Sequence, residues 1–126
     1  MRKMGGGSIV NATTGAGKAP GSLALPTSVS RAAGNNLTKS LANELAKDKI
    51  RVNAVCIGLI KSAQWERLNE KGSLEELYTE LGNKVPLGRV GEAEEYADLV
   101  AFLCSARGAY ITGTAINLDG GLCPVI

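Results

Sequence analysis

Two β-branched runs joined by one long helical stretch constrain this chain more than any other feature. Ser8-Ile9-Val10-Asn11-Ala12 is short and bounded by glycines, the pattern of a buried strand. Lys49-Ile50-Arg51-Val52-Asn53-Ala54-Val55-Cys56 is a second such run, entered through a polar turn at residues 47–49. Between them, Gly15, Gly17, Pro20, Gly21 and Pro26 punctuate a loop over residues 13–26. Val29, Ala33, Leu37, Leu41 and Leu45 then recur every four residues on one helical face, which predicts a helix over residues 28–47. A strand, a helix and a strand imply a parallel, right-handed unit.

The remaining segments extend this unit. Residues 62–82 are Glu-rich and weakly amphipathic, with a break at Lys71-Gly72-Ser73, and predict two short helices at 63–70 and 74–81. Acids at Glu92, Glu94 and Glu95 oppose the positive end of a helix dipole and open a helix over 92–104, with Tyr96, Ala97, Val100, Ala101, Leu103 and Cys104 inward. Residues 114–118 form a third strand, closed by Asp119-Gly120-Gly121. No repeat or linker divides the chain. The expectation is one α/β domain over residues 1–126, with about three parallel strands and flanking helices.

Composition excludes several functions. The net charge of +2 comes from interspersed charges and aromatics are only 4%, so neither a phosphate-tracking groove nor a base-stacking platform is expected, and no nucleic acid. After the basic start the apolar run is only Ile9-Val10, far short of a signal sequence or membrane span, which points to a soluble, cytoplasmic protein without membrane partners. Cys56, Cys104 and Cys123 lack metal-ligand spacing and the chain has no histidine, so no metal site is expected.

The blocks that carry chemistry are specific. Thr27-Ser28-Val29-Ser30-Arg31-Ala32-Ala33 stands at the head of the long helix, and Thr14 lies thirteen residues before Thr27. Ile50 to Ser62 reads Ile-Arg-Val-Asn-Ala-Val-Cys-Ile-Gly-Leu-Ile-Lys-Ser, and two further blocks are Pro86-Leu87-Gly88-Arg89-Val90-Gly91-Glu92 and Ile111-Thr112-Gly113-Thr114-Ala115-Ile116-Asn117-Leu118-Asp119-Gly120-Gly121. Together they resemble the second half of a short-chain dehydrogenase/reductase. The resemblance implies part of a Rossmann-like parallel sheet, NAD or NADP as cofactor, a small-molecule substrate and homo-oligomeric assembly. It also implies that Thr14 occupies the catalytic serine slot, while Thr27 and Arg31 replace the Tyr and Lys of Tyr-x-x-x-Lys. By the same resemblance Gly58, the Ile60 backbone and the Ser62 hydroxyl face the nicotinamide, with Gly58 letting its ring approach.

The resemblance also marks what these residues do not contain. The strand, Thr-Gly-x-x-x-Gly-x-Gly loop and helix that hold the cofactor pyrophosphate in the family have no counterpart here. Gly15-Ala16-Gly17-Lys18 lacks both Walker spacing and the following Ser or Thr, so it reads as a turn. The expectation is a truncated member whose cofactor is weakly bound or absent.

A threonine alcohol is a far weaker acid than a phenol, so Thr27 is a poor proton donor and fits a helix N-cap. Thr14 retains a hydroxyl that can bond a substrate carbonyl, and Arg31 retains a positive charge. Weak or no dehydrogenase activity is therefore expected of the isolated chain. Two alternatives stand beside it: a non-catalytic module that keeps the subunit contacts, and a hydrolase using a Ser, Thr or Tyr hydroxyl with Lys18 or Lys39 as base in place of histidine. Tyr96 and Tyr110 read as packing residues, Tyr78 as a phenol within reach of the cleft, and Trp65 as either a cleft wall or an anchor for the segment it heads.

Overall fold

The computed structural model describes residues 1–69 and 72–126. Strands β1 (Gly7–Thr14), β2 (Ile50–Ile57) and β3 (Ala115–Leu118) form one parallel sheet in the order β1-β2-β3. Gly7 lies opposite Ile50 and Thr14 opposite Ile57, while Ala54 to Ile57 pair with Ala115 to Leu118. The helices are α1 (Leu25–Leu45), α2 (Ala63–Leu68), α3 (Leu74–Gly82) and α4 (Ala93–Cys104). The expected α/β architecture is present, with each strand end within two residues of its expected place; β1 is extended at both ends, from Gly7 to Thr14.

Side chains on β1 show how the layers stack. Asn11 and Thr13 bond to Thr38 and Asn35 of α1, whereas Ser8 donates to the Leu103 carbonyl of α4. Successive strand residues point to opposite faces, so α1 and α4 cover opposite sides of the sheet. Central strand β2 is enclosed by both, and Val52, Asn53, Ala54, Val55 and Cys56 are all without solvent exposure. This is why the run is apolar without alternation. Burial of Val52, Val55 and Leu103 contributes about 1.5–3 kcal/mol each.

The Arg51-Val52-Asn53 block has a structural reason. Arg51 donates through its fork to the Leu103 and Ser105 carbonyls, Val52 N–H donates to the Thr112 hydroxyl, and Gly113 N–H donates to the Val52 carbonyl. Asn53 donates to the Ile111 carbonyl at 2.9 Å and accepts from Thr114. The block thus ties the turn after α4 to the central strand and sets the entry of β3.

Helix α1 departs from expectation at its start, and its four-apart apolar series does not share one face. It begins at Leu25 with Ala24 as N-cap and Pro26 in the first turn, so Thr27 is not the N-cap. Of the series expected on one face, Val29 is 61% and Leu37 53% exposed, and only Leu41 and Leu45 pack against the Ala42, Ile50 and Val52 core. A four-residue repeat advances about 40° per step around a 3.6-residue helix, or about 160° from Val29 to Leu45. The series therefore winds from solvent to core. Toward the sheet lie Asn35, Thr38, Ala42 and Leu45, at the 3-4-3 spacing that keeps one face.

Elsewhere the differences are local. Helix α2 ends at Leu68 with Asn69 as its non-helical C-cap, short of the expected end at residue 70, and Glu70 and Lys71 lie outside the described residues. A capping box between Ser73 and Glu76 opens α3, and another between Glu92 and Glu95 opens α4. On α4, Leu103 is buried, but Ala97, Ala101 and Cys104 are exposed instead of inward. Tyr110 is fully exposed, not a packing residue, because the turn after α4 presents it outward, whereas Tyr96 is half-buried.

Candidate active site

The carboxyl ends of all three strands meet in one cleft of about 360 Å³. Thr14 ends β1, Ile57 and Gly58 end β2, and Asp119 follows β3; Trp65 of α2 and the tail at Leu122 and Cys123 complete the wall. In open parallel sheets, ligands bind beyond these strand ends. The Thr14 hydroxyl is shielded from water and has no hydrogen-bond partner among the described residues.

After Thr14 the chain turns tightly over Gly15–Gly17 and seats on α1. A Cβ on Gly17 would lie 2.7 Å from the Arg31 carbonyl carbon, so only glycine permits the approach. The turn thereby fixes Thr14 relative to the second turn of α1. Thr27 and Arg31 nevertheless both lie exposed on α1, and neither contributes to the lining of the cleft. The Thr27 carbonyl accepts from the Ser30 hydroxyl at 2.9 Å. Of the three residues at catalytic slots, the structure brings only Thr14 into the cleft.

The residues assigned to the nicotinamide are similarly divided. Gly58 lines the cleft, but a Cβ there would lie 2.6 Å from the Asp119 Cα, so its lack of a side chain already serves the approach of β2 to the turn after β3. Ile60 lines a second cavity of about 110 Å³ with Arg89 and Glu95. Its chain is pinned by a bridge in which Gly91 N–H donates to the Leu59 carbonyl at 2.9 Å and Lys61 N–H donates to the Gly91 carbonyl at 3.0 Å. The N–H and C=O of Ile60 itself lie outside this bridge. Ser62 is exposed at the N-cap of α2, where its hydroxyl makes no cap bond.

Charged groups beside this chain segment are paired. Arg89 holds Glu95 through two bonds of 2.8 and 2.7 Å. That guanidinium, with the Glu92 N–H as a second donor, depresses the Glu95 carboxyl to about 2. Lys61 donates to Glu92 at 2.6 Å, which raises its own pKa, and sits 5.6 Å from the Tyr78 ring centroid. Tyr78 lines a separate groove with Lys61 and Glu92, and its hydroxyl is shielded and unpartnered among the described residues. Lys18 donates to the Ala115 carbonyl and Asn117 Oδ1, both at 2.7 Å, and the Lys39 ammonium lies over Gly113. Lys18 thus binds β3, and Lys39 packs against the turn before it.

Sequence reasoning missed the C-terminal wall. Asp119 was legible only as the end of a strand, yet its Oδ1 accepts from Gly121 N–H at 2.9 Å and its Oδ2 from Cys123 N–H at 2.8 Å. These bonds curl Leu122 and Cys123 back over Gly15. The signal was an Asp followed by two glycines, which favours a side-chain-closed turn.

Comparison with known proteins follows this geometry. A family model described as enoyl-(acyl carrier protein) reductase matches residues 1–123. A tropinone reductase homolog of Arabidopsis thaliana is 40% identical over 122 residues, which are 97% of this chain and 45% of that relative. L-sorbose reductase of Gluconobacter frateurii, solved with NADPH and L-sorbose, superimposes with a TM-score of 0.90 at 32% identity, over 100% of this chain and 51% of that one. An NADPH-bound short chain oxidoreductase of Pseudomonas aeruginosa, described as containing an atypical catalytic center, gives a TM-score of 0.86 at 37% identity, over 94% and 47%. The chain spans about half the length of the relatives it matches. No helix among its described residues is long and apolar enough to cross a membrane.

Proposed function

The chain belongs to the short-chain dehydrogenase/reductase family, and from that premise we propose that it forms the substrate-facing half of an NAD(P)-dependent oxidoreductase and carries little hydride-transfer activity by itself. The observation that carries this reading is the separation of the slots: Thr14 lines the cleft while Thr27 and Arg31 stand outside its lining, with no phenol at position 27.

The residues fit a nicotinamide at one end only. The N–H and C=O of Ile60 and the uncommitted Ser62 hydroxyl suit a carboxamide, which needs both a donor and an acceptor. The glycine-rich turn that does follow a strand and precede a helix, Gly15–Gly17 between β1 and α1, lacks the Gly-x-x-x-Gly-x-Gly spacing for a pyrophosphate, and its Gly17 is packed on the α1 backbone. A bound nicotinamide cofactor supplies or accepts the hydride. Thr14 then holds the substrate oxygen by a hydrogen bond, and Arg31 keeps positive charge on α1 near the same end of the sheet.

Titration of the isolated chain with NADPH in a calorimeter tests this. The nicotinamide contacts alone are few, so no site tighter than about millimolar is expected. Micromolar, saturable binding would show that these residues hold the whole cofactor and would overturn the half-enzyme reading.

A second reading has its own observation. Leu25, Val29 and Leu37 expose an apolar stripe on the outside of α1. A module that self-associates through this stripe explains it, since such faces mark interaction surfaces. Light scattering should then give a dimer or larger species, which Leu37→Glu converts to monomer without loss of helicity; an unchanged mass sinks this second reading.

A further inference from the structure

We propose that the cleft at the strand ends takes a neutral, largely apolar ketone or its alcohol, and discriminates against polyols and ionised substrates; the proposal rests on the oxidoreductase reading above. Its walls are Ala16, Ala19, Leu59, Trp65, Leu122 and Pro124. Among the described residues, the one carboxylate in the lining, Asp119, has both oxygens engaged by the N–H groups of Gly121 and Cys123. Neighbouring cations are committed elsewhere, Lys18 to Ala115 and Asn117 and Lys61 to Glu92. No free charge therefore faces a ligand from these side chains.

Hydrogen-bonding capacity is equally limited. Among the described residues, the polar side-chain groups left in the lining are the Thr14 hydroxyl, the Trp65 indole N–H and the Cys123 thiol, whose sulfur lies 3.8 Å from the Gly15 carbonyl oxygen. Such a lining has few groups for substrate oxygens: the Trp65 N–H and, after a side-chain rotation that turns it from its shielded position into the cleft, the Thr14 hydroxyl. A volume of about 360 Å³ corresponds to roughly twelve waters, which suits a compact molecule of about ten to fifteen heavy atoms. A ketohexose would leave several hydroxyls unpaired, each at about a tenfold loss of affinity.

Trp65 is the only tryptophan in the chain and lines the cleft, so its emission reports occupancy directly. Titration of the full chain with 2-decalone should give a saturable change in Trp65 fluorescence, and D-fructose should give none. Leu122→Glu, at a partly exposed position, should weaken 2-decalone by about tenfold or more with unchanged far-UV circular dichroism, whereas Leu122→Met should bind within a few-fold of the parent. A linear response to 2-decalone, equal saturation by D-fructose, or indifference to Leu122→Glu overturns the proposal. In an assembly completed by a cofactor-binding half, 2-decalone binding without turnover of any ketone would count against the oxidoreductase reading alone. Preferential turnover of the ketohexose would count against the ligand class alone.

Discussion

Asn53 grips Thr114 twice: its Oδ1 accepts from the Thr114 hydroxyl at 3.0 Å and from the Thr114 N–H at 3.3 Å. The same side chain donates to the Ile111 carbonyl and has no exposure to solvent, so every bond it makes replaces one that water cannot supply.

Asn53→Ala should therefore destabilise the fold by about 1–3 kcal/mol, the cost of leaving buried partners unpaired. The urea midpoint measures it. An unchanged midpoint would mean that the Arg51 fork alone holds the segment before β3.

Two glycines predict opposite outcomes. A Cβ at Gly58 would lie 2.6 Å from the Asp119 Cα and Cβ, so Gly58→Ala must push the ends of β2 and β3 apart and should lower the melting temperature by several degrees. Gly21 has open space around it and a φ that ordinary residues adopt, so Gly21→Ala should be neutral or stabilising by about 0.4–1 kcal/mol. Thermal scans of the two variants that fell together would refute the packing argument.

The Arg89–Glu95 pair gives a pH dependence of known sign. Glu95 has a folded-state pKa of about 2 against an ordinary 4.5, so the unfolded chain binds more protons between these values and stability falls as pH falls. The contribution is fully present above 4.5 and lost on acidification through about 2. Arg89→Met should flatten this part of the profile in urea unfolding at pH 6, 4 and 2.5; parallel profiles for the two proteins would show that the exposed pair is screened out in solution.

Restoring the family's residues tests the site. Thr27→Tyr with Arg31→Lys should leave carbonyl reduction at background in this chain, because a proton donor cannot act without a held nicotinamide. Joined to a cofactor-binding half, the same double change should raise the rate by about 10²–10⁴-fold, the range for a positioned general acid. Activity regained in the short chain, or no gain in the completed one, would each contradict the assignment of these positions.

Much of the fold was legible because β2 is enclosed and α1 is long: a β-branched, largely apolar run and a long helix preceded by a glycine- and proline-punctuated loop leave few alternatives. Helix α4 was legible from Glu92 and Glu95, whose capping box writes its start into the chain. The site was less so. Thr14 could be placed by spacing, but the curl of Leu122 and Cys123 over Gly15 depends on Asp119 closing a turn more than a hundred residues away from Thr14. The inward face of α1 was hidden because the sheet meets it through Asn35 and Thr38, polar residues that hydropathy assigns to solvent.

Those polar contacts have a mechanical consequence. Asn11 donates to Thr38 at 2.9 Å and Thr13 to Asn35 at 2.9 Å, two pegs about one helical turn apart that set the angle of α1 about its own axis. Left to hydropathy, the helix would roll to bring Val29 and Leu37 beneath it and would face the sheet in a different phase. The pegs act as a key against that roll. The apolar side of α1 is therefore held outward by the identity of two hydrogen bonds, and a chain with valines at Asn11, Thr13, Asn35 and Thr38 would lose the device that separates what the sheet grips from what a neighbour can touch.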